Sequence, residues 1–216
     1  MRLKILYDND AKEGFRRGWG FSCLVNEKIL FDTGADLNTL LFNIRKFNVD
    51  LNDITKVVFS HEHRDHVGGF EILGMLGKVS VYLLKSFSRG FKRRILSFPN
   101  VELREISKMG EIDDEVFTTG ELGFFIKGQS LIVRTERGVT VITGCSHPGL
   151  ENILKVASRL GEIYGVVGGF HGFRKLEKLR NLKLIVPCHC TMQKRRILML
   201  YPESAMKCSC GCEFSG

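Results

Sequence analysis

His61-Glu62-His63-Arg64-Asp65-His66 follows the apolar run Val57-Val58-Phe59-Ser60 and leads into Gly68-Gly69. The run reads as a buried strand that delivers the chain to the cluster at its end. In extended chain, two imidazoles separated by one residue point to the same side, so His61 and His63 can hold one ion. Asp65 and His66, just beyond, offer an oxygen and a nitrogen to a second ion or to a bound water. Imidazole with carboxylate suits zinc, and also iron or manganese. Three histidines and an aspartate within six residues, placed between a buried strand and a glycine pair, fit a metal site far better than a solvated polar loop.

The other histidines repeat this placement. His147 follows Val141-Ile142-Thr143, His171 follows the run from Tyr164 to Val167, and His189 follows Leu184-Ile185-Val186. All six histidines of the chain therefore stand at or just past the end of an apolar strand. Loops at strand ends can converge on one point, which is where ligands gather in open sheets.

Around these positions the pattern predicts strands at Leu3 to Tyr7, Phe21 to Val25 and Lys28 to Phe31, with a turn at Asn26-Glu27. A helix from about Asp36 to Phe47 carries Leu37, Leu40, Leu41 and Ile44 at helical spacing, with Asp36 as its cap. A helical stretch from Gly69 to Leu76, a strand from Val79 to Leu84 and a basic helix near Phe87 to Leu96 follow. The second half is expected to open as a meander of strands at Val101 to Ile106, Glu115 to Thr118, Gly123 to Ile126, Leu131 to Thr135 and Val139 to Thr143. It then alternates: helix Leu150 to Leu160, strand Tyr164 to Val167, helix Arg174 to Leu182, strand Leu184 to Val186, helix Gln193 to Leu200. Strand-rich and mixed segments in both halves, with no linker, imply an α/β fold: an αββα sandwich of two mixed sheets packed face to face, helices outside, in one domain over residues 1–216.

The 216-residue chain is 44% hydrophobic and 26% charged, which excludes disorder. The run from Met1 to Tyr7 meets Asp8 and Asp10 before a signal-peptide core forms, and nothing approaches the roughly 18 apolar residues of a membrane span. Seven cysteines, an odd count, read as reduced thiols or metal ligands in a cytoplasmic protein rather than as a disulfide framework. The net charge is +8, with Lys85, Arg89, Lys92, Arg93 and Arg94 in one cluster and Lys194, Arg195 and Arg196 in another. That field favours anionic small molecules, phosphate esters above all; nucleic acid is a weaker expectation, and the alternative is a solvated basic helix face. Only two glutamines occur, which leans toward a thermophile.

His-x-His-x-Asp-His after a strand, preceded by Phe31-Asp32-Thr33-Gly34, resembles the metallo-β-lactamase superfamily. Thr143-Gly144-Cys145-Ser146-His147-Pro148-Gly149, Gly168-Gly169-Phe170-His171 and Pro187-Cys188-His189-Cys190-Thr191 are similar to one branch of it, the dihydropteroate-synthase-like branch associated with making methanopterin-type cofactors. The likeness spans about residues 5 to 191 and implies the metallo-β-lactamase fold. It implies His61 and His63 on a first ion, Asp65, His66 and His189 on a second, and Asp32 hydrogen-bonded to the ligand-bearing loop. The pattern departs where relatives place a further histidine and a bridging aspartate: no histidine lies between His66 and His147, and the turn reads Thr143-Gly144-Cys145. His147 is then the expected replacement nitrogen ligand, and Cys145 either bridges as a thiolate or lines the site. His171 is expected as a substrate contact or proton donor, with a packed structural histidine as the alternative. Trp19-Gly20-Phe21-Ser22 stands where branch members often have His-Gly-x-Ser, and Met192 where they often have glycine, so Trp19 and Ser22 are expected to touch substrate.

The expected chemistry is hydrolysis by a metal-activated water on an anionic, phosphoester-containing molecule, with one or two zinc ions and with Asp65 orienting the nucleophile. Group transfer from a pterin pyrophosphate at the same site, a nuclease and a non-catalytic metal scaffold are the alternatives. An oxidoreductase is disfavoured, because such di-iron relatives carry a carboxylate where His63 stands and a flavin domain follows. Cys208, Cys210 and Cys212 alternate, but at a spacing tighter than zinc pairs use and without a fourth ligand; a small-residue terminal strand or a frayed end in the tail from 201 to 216 is the expectation. Gly165-Val166-Val167-Gly168-Gly169 lacks the spacing of a dinucleotide loop.

Overall fold

The computed structural model describes residues 1–215. The first half builds β1 (Arg2–Tyr7), β2 (Ser22–Val25), β3 (Ile29–Phe31), α1 (Leu37–Lys46), β4 (Lys56–Val58), the short α2 (Arg64–Val67), a 3-10 segment at Phe70–Met75, β5 (Val79–Leu84), α3 (Arg89–Leu96) and β6 (Val101–Ile106). The second builds β7 (Lys108–Asp113), β8 (Val116–Gly120), β9 (Ser130–Thr135), β10 (Gly138–Cys145), α4 (Leu150–Ala157), β11 (Ile163–Gly169), a 3-10 turn at Leu176–Leu179, β12 (Leu184–Pro187), α5 (Lys194–Leu200) and β13 (Glu213–Ser215). One seven-stranded sheet runs β13-β1-β2-β3-β4-β5-β6, and a six-stranded one runs β12-β11-β10-β9-β8-β7.

Three apolar layers explain the stacking. Leu3, Ile5, Phe31 and Val58 of the first sheet meet Leu131, Val133, Ile142 and Val167 of the second, all buried, between the sheets. Leu40, Ile44, Phe91 and Ile95 cover the outer face of the first sheet from α1 and α3. Leu150, Ile153 and Ile197 do the same for the second from α4 and α5. This is the expected αββα sandwich, and none of its helices is long and apolar enough to cross a membrane among the described residues.

Strand direction fixes where the site falls. β3 and β4 run parallel to each other, as do β10, β11 and β12. Their C-terminal ends carry Asp32, His61, Cys145, Gly169 and Pro187 in or just past them, so the histidine-bearing loops emerge together.

Local chemistry sets several of these elements. Asn26 and Glu27 both adopt left-handed backbone, at φ 50° and 61°, and make the tight turn between β2 and β3. Asp36 caps α1: its carboxylate accepts from Thr39 N at 2.8 Å and from the Tyr7 hydroxyl at 2.6 Å. Burial opposes ionisation of Asp36, but these hydrogen bonds outweigh it and hold the carboxyl below its ordinary value. Asp36→Ala is expected to cost about 1–2 kcal/mol in a denaturant titration near neutral pH. Because the folded-state value is depressed, that contribution is present above the unfolded value of about 4 and fades as pH falls through the folded one. An unchanged midpoint at neutral pH would sink the assignment.

Several expectations are corrected. Val101–Ile106 does not join the meander; it pairs in parallel with β5 at the edge of the first sheet, and β7, unforeseen because only Ile112 of its residues is buried and clean alternation is lacking, takes its place. Gly123 to Ile126 is no strand: Leu122 and Gly128 exchange backbone hydrogen bonds and pinch off a loop that leaves Phe124 and Phe125 in solvent. The helices expected at Gly69 to Leu76 and Arg174 to Leu182 tighten to short 3-10 segments. Of the two expectations for the tail, the terminal strand holds over the described residues and the frayed end does not. Cys208, Cys210 and Cys212 are buried, Cys208 is disulfide-bonded to Cys188, and β13 pairs with β1. The reading of every cysteine as a free thiol or ligand therefore fails at Cys188 and Cys208, whose bond ties the tail to the loop bearing His189.

Candidate metal centre

The loop after β4 folds back on itself through α2. His61 Nε2 comes within 3.1 Å of His63 Nδ1. The His147 ring, delivered by the loop after β10, lies 4.9 Å from that of His61 and 5.0 Å from that of His63, centroid to centroid. Nitrogens of these three histidines all fall within 4.8 Å of one another. Burial, and then the neighbouring imidazoles, push His61 far below its ordinary pKa. Burial and the nearby His171 and His63 lower His147 to about 4. Near neutral pH the His61 and His147 rings therefore stay neutral, and the three rings bring their nitrogens to one small volume, which suits a divalent cation.

Asp32 is the hub that aims the cluster. It sits at the end of β3 with left-handed backbone, φ 57°, and is fully buried. Its Oδ1 accepts from Ser60 N at 2.7 Å; its Oδ2 accepts from Ser60 Oγ at 2.7 Å and from His66 Nδ1 at 2.7 Å. Ser60 Oγ in turn lies 2.9 Å from His61 Nδ1. With Nδ1 donating to the carboxylate, His66 presents Nε2 to the cleft. Burial would strip His66 of its proton, but Asp32 and then Asp65 outweigh it and raise its pKa. The Thr-Gly-Cys turn passes so close that a Cβ on Gly144 would stand 2.2 Å from Ser60 Oγ and 2.5 Å from Asp32 Oδ2. Glycine is required there by contact.

A second group forms beside the first. His189 Nε2 is 3.0 Å and His66 Nε2 3.7 Å from Asp65 Oδ2. Burial disfavours the Asp65 carboxylate, yet its hydrogen bond to His189 and the charge of His66 hold it at about 2. His189 is pinned from behind by residues of the β1 end: its backbone N donates to Asp8 Oδ1 at 2.6 Å and its Nδ1 lies 2.9 Å from Asn9 Oδ1. Its φ of 40° is strained, as is the φ of 47° at His171. Asp65, His66 and His189 have donor atoms within 4.8 Å of one another, as do His61, His66 and Cys145. Two sets of donors thus share one cleft, and their chemistry fits divalent metal.

The structure also brings together what the sequence reading missed. Cys190 Sγ lies 2.7 Å from Cys145 Sγ, and Cys145 Sγ 3.4 Å from His66 Nε2. The contact between the sulfurs, with burial, drives Cys145 well above the ordinary thiol value, while the same contact pulls Cys190 down to about 6 against burial. Asp8 and Asn9 were missed as well. The signal was present: Asp8-Asn9-Asp10 is polar chain directly after a buried strand, the placement used for the histidines.

Aromatic and cationic side chains surround the cleft. Trp19, 65% exposed, sets its ring 5.0 Å from that of His189. His171 stands 4.7 Å from the His147 ring, and its carbonyl accepts from Met192 N. Phe124 and Phe125 overhang a cavity of about 620 Å³ that His147 also lines. A second cavity, about 650 Å³, opens beside Thr191 and Met192 and is lined by Lys194, Arg195, Arg196 and Lys207 against the single acid Asp10. Ser22 is corrected: fully buried, it donates its hydroxyl to the Asp32 carbonyl at 2.8 Å and shapes the hub instead of meeting a substrate.

Comparison with known proteins agrees with this fold. The family model for the anti-Pycsar protein Apyc1 matches residues 21–83. The crystal structure of Tm1679, described as a metal-dependent hydrolase of the β-lactamase superfamily, superposes with a TM-score of 0.83 at 30% identity, covering 100% of this chain and 99% of that one. An uncharacterized protein of Methanocaldococcus jannaschii is 29% identical over 88% of this chain and 90% of its own length. From the same organism, 7,8-dihydropterin-6-methyl-4-(beta-D-ribofuranosyl)-aminobenzene-5'-phosphate synthase is 26% identical over 77% of this chain and 76% of its own. With the two-sheet sandwich and the histidine cleft in place, the likeness along the whole of Tm1679 settles the lineage: this chain belongs to the metallo-β-lactamase superfamily of metal-dependent hydrolases.

Proposed function

We propose that the protein hydrolyses a small anionic molecule, a phosphoester, at two adjacent metal positions. The observation that carries this reading is the meeting of two donor sets in one cleft: His61, His63 and His147 for a first ion, and Asp65, His66 and His189, with Cys145 at its edge, for a second. Zinc suits nitrogen with carboxylate and thiolate best; iron and manganese are the other candidates. Divalent ions held there would supply Lewis acidity to a water nucleophile and to the negative charge developing on the substrate.

The chain's own residues do the rest. Asp65, kept ionised, orients the nucleophile as an acceptor. Asp32, through Ser60 and His66, keeps the ligand loop in shape. His171 stands at the mouth, exposed and near His147, where it can pass a proton to a leaving oxygen. The cation-lined cavity beside Thr191 and Met192 favours an anionic group. The α3 cluster contributes less to that field, because Lys92 pairs with Glu105 and Arg94 with Glu71. His171→Ala is expected to lower kcat by about 10²–10⁴-fold while leaving metal content unchanged. Equal kcat in the variant would return His171 to a packing role.

The reading is tested by elemental analysis of freshly purified protein together with turnover of a phosphodiester, a phosphomonoester and a lactone. About two ions per chain with turnover of an ester is the expected result. One ion or none, with no turnover after adding zinc, manganese or iron, sinks it. A second reading is favoured by one observation, the similarity to the M. jannaschii synthase: group transfer from a pterin pyrophosphate at the same centre. Release of pyrophosphate from such a substrate without hydrolytic turnover would select it.

A further inference from the structure

Two thiols stand in the cleft: Cys145 at the edge of the second donor set, and Cys190, to which the hydrolytic reading gives no task. Cys145 closes β10, Cys190 follows His189, and their sulfurs are 2.7 Å apart. Cys145, His189 and Cys190 have donor atoms within 4.8 Å of one another, and Cys145 Sγ is 3.4 Å from His66 Nε2. Gly169, paired with Cys145 across β10 and β11, makes the room: a Cβ there would stand 2.6 Å from Cys190 Sγ. The other cysteines are elsewhere employed. Cys188 and Cys208 are bonded to each other, and Cys23, Cys210 and Cys212 are buried. Cys190 alone among the free thiols is only partly buried.

We infer that Cys145 and Cys190 form a redox-gated ligand pair for the second ion. As thiolates, both hold a soft divalent cation beside His66 and His189; joined as a disulfide, neither does. The inference rests on the two-ion reading above. Nitrogen and carboxylate alone make an ordinary borderline site, whereas two added sulfurs shift its preference toward zinc or cobalt over manganese. The gating step uses hydrogen peroxide. The Cys190 sulfur attacks one peroxide oxygen: an S–O bond forms, the O–O bond breaks, and the departing hydroxide takes a proton to leave as water. The Cys145 sulfur then attacks the Cys190 sulfur: the S–S bond forms, the S–O bond breaks, and a second water leaves. The cysteines together lose two electrons and two protons, and the peroxide gains them. A dithiol reverses the step by exchange.

The test is a cobalt(II) titration of the reduced protein, read by the near-ultraviolet thiolate-to-cobalt charge-transfer band and by cobalt content. Wild type is expected to bind about two ions with a strong band. Cys145→Ala and Cys190→Ala should each weaken the band, and the double variant should abolish it while keeping the ion on His61, His63 and His147. Peroxide should remove the band and one ion, peptide mapping should find Cys145 joined to Cys190, and dithiothreitol should restore both ions. Cobalt bound without the band, a band unchanged in Cys190→Ala, or both ions retained after peroxide overturns the inference and leaves the metal-centre reading standing. No cobalt binding at all overturns that reading, and this inference with it.

Discussion

His61→Ala and His63→Ala are each expected to remove turnover by roughly a thousandfold or more while leaving a folded protein. Lewis-acid stabilisation at a metal is worth several kcal/mol, and about 1.4 kcal/mol is a decade in rate. Both rings belong to the His61, His63 and His147 set, so either loss leaves two nitrogens where three are needed. His61 should have the larger effect. It is buried, and it touches both groups: its ring lies 4.2 Å from that of His66, and it shares a donor set with His66 and Cys145. The fold should persist, because the apolar layers stand on residues of other elements. Stability gives an independent readout. A ligand at about 100 times its Kd adds roughly 2.7 kcal/mol, so wild type should melt higher with added zinc than with chelator. His61→Ala should lose most of that difference. Full turnover in the variant, or an undiminished zinc-dependent shift, would remove His61 from the centre.

What could be read from the sequence was whatever depends on short-range pattern. Val57 to His66 declares a strand followed by ligands because alternation, burial and donor chemistry all lie within ten residues. Asp36 announced its helix for the same reason. The edges were harder: only Ile112 of Lys108–Asp113 is buried, so tertiary pairing with β8 and not apolar pattern makes it a strand. The site's supports were harder still. Asp8 and Asn9 reach His189 across 181 and 180 residues of chain, and Cys190 meets Cys145 across 45. Polar chain after β1 marks Asp8 and Asn9 as strand-end residues, but no local signal names a partner at such distances; only the strand ends of the fold bring these residues together. Ser22 failed in the opposite way. A serine beside a predicted rim residue looked accessible, but alternation in β2 does not apply where both faces are covered, and every residue of that strand is buried.

The strained backbone follows the same line. Asp32, His171 and His189 are non-glycine residues with positive φ, and all three stand in or beside the cleft. Such conformations cost of order 1–3 kcal/mol each and persist where surrounding bonds over-determine them. For Asp32 those bonds are the Ser60 and His66 contacts; for His189 they are Asp8 and Asn9. The strain is thus held by the contacts that aim the ligands.

Asp32→Asn and Asp32→Ala should separate the aiming of the centre from its stability. In the alanine variant Ser60 N, Ser60 Oγ and His66 Nδ1 all lose their acceptor in a fully buried place. Each unsatisfied group costs about 1–3 kcal/mol, and partial relaxation should leave a net loss of roughly 3–5 kcal/mol. Asparagine keeps the shape. Ser60 N can only donate, so the amide oxygen must face it, and the amide NH₂ then takes the place of Oδ2. Ser60 Oγ can accept from that group. His66 Nδ1 must accept too, which moves the imidazole proton to Nε2 and turns the atom facing Asp65 and Cys145 from a lone pair into a donor. Asp32→Asn is therefore expected to lose only about 1–2 kcal/mol of stability, yet to weaken the second ion by 10–100-fold or more. The first ion, on His61, His63 and His147, should be much less affected. Denaturant titrations of the metal-free variants paired with zinc titrations decide the matter. If Asp32→Asn bound both ions as tightly as wild type, the carboxylate would be holding the loop without setting the His66 tautomer.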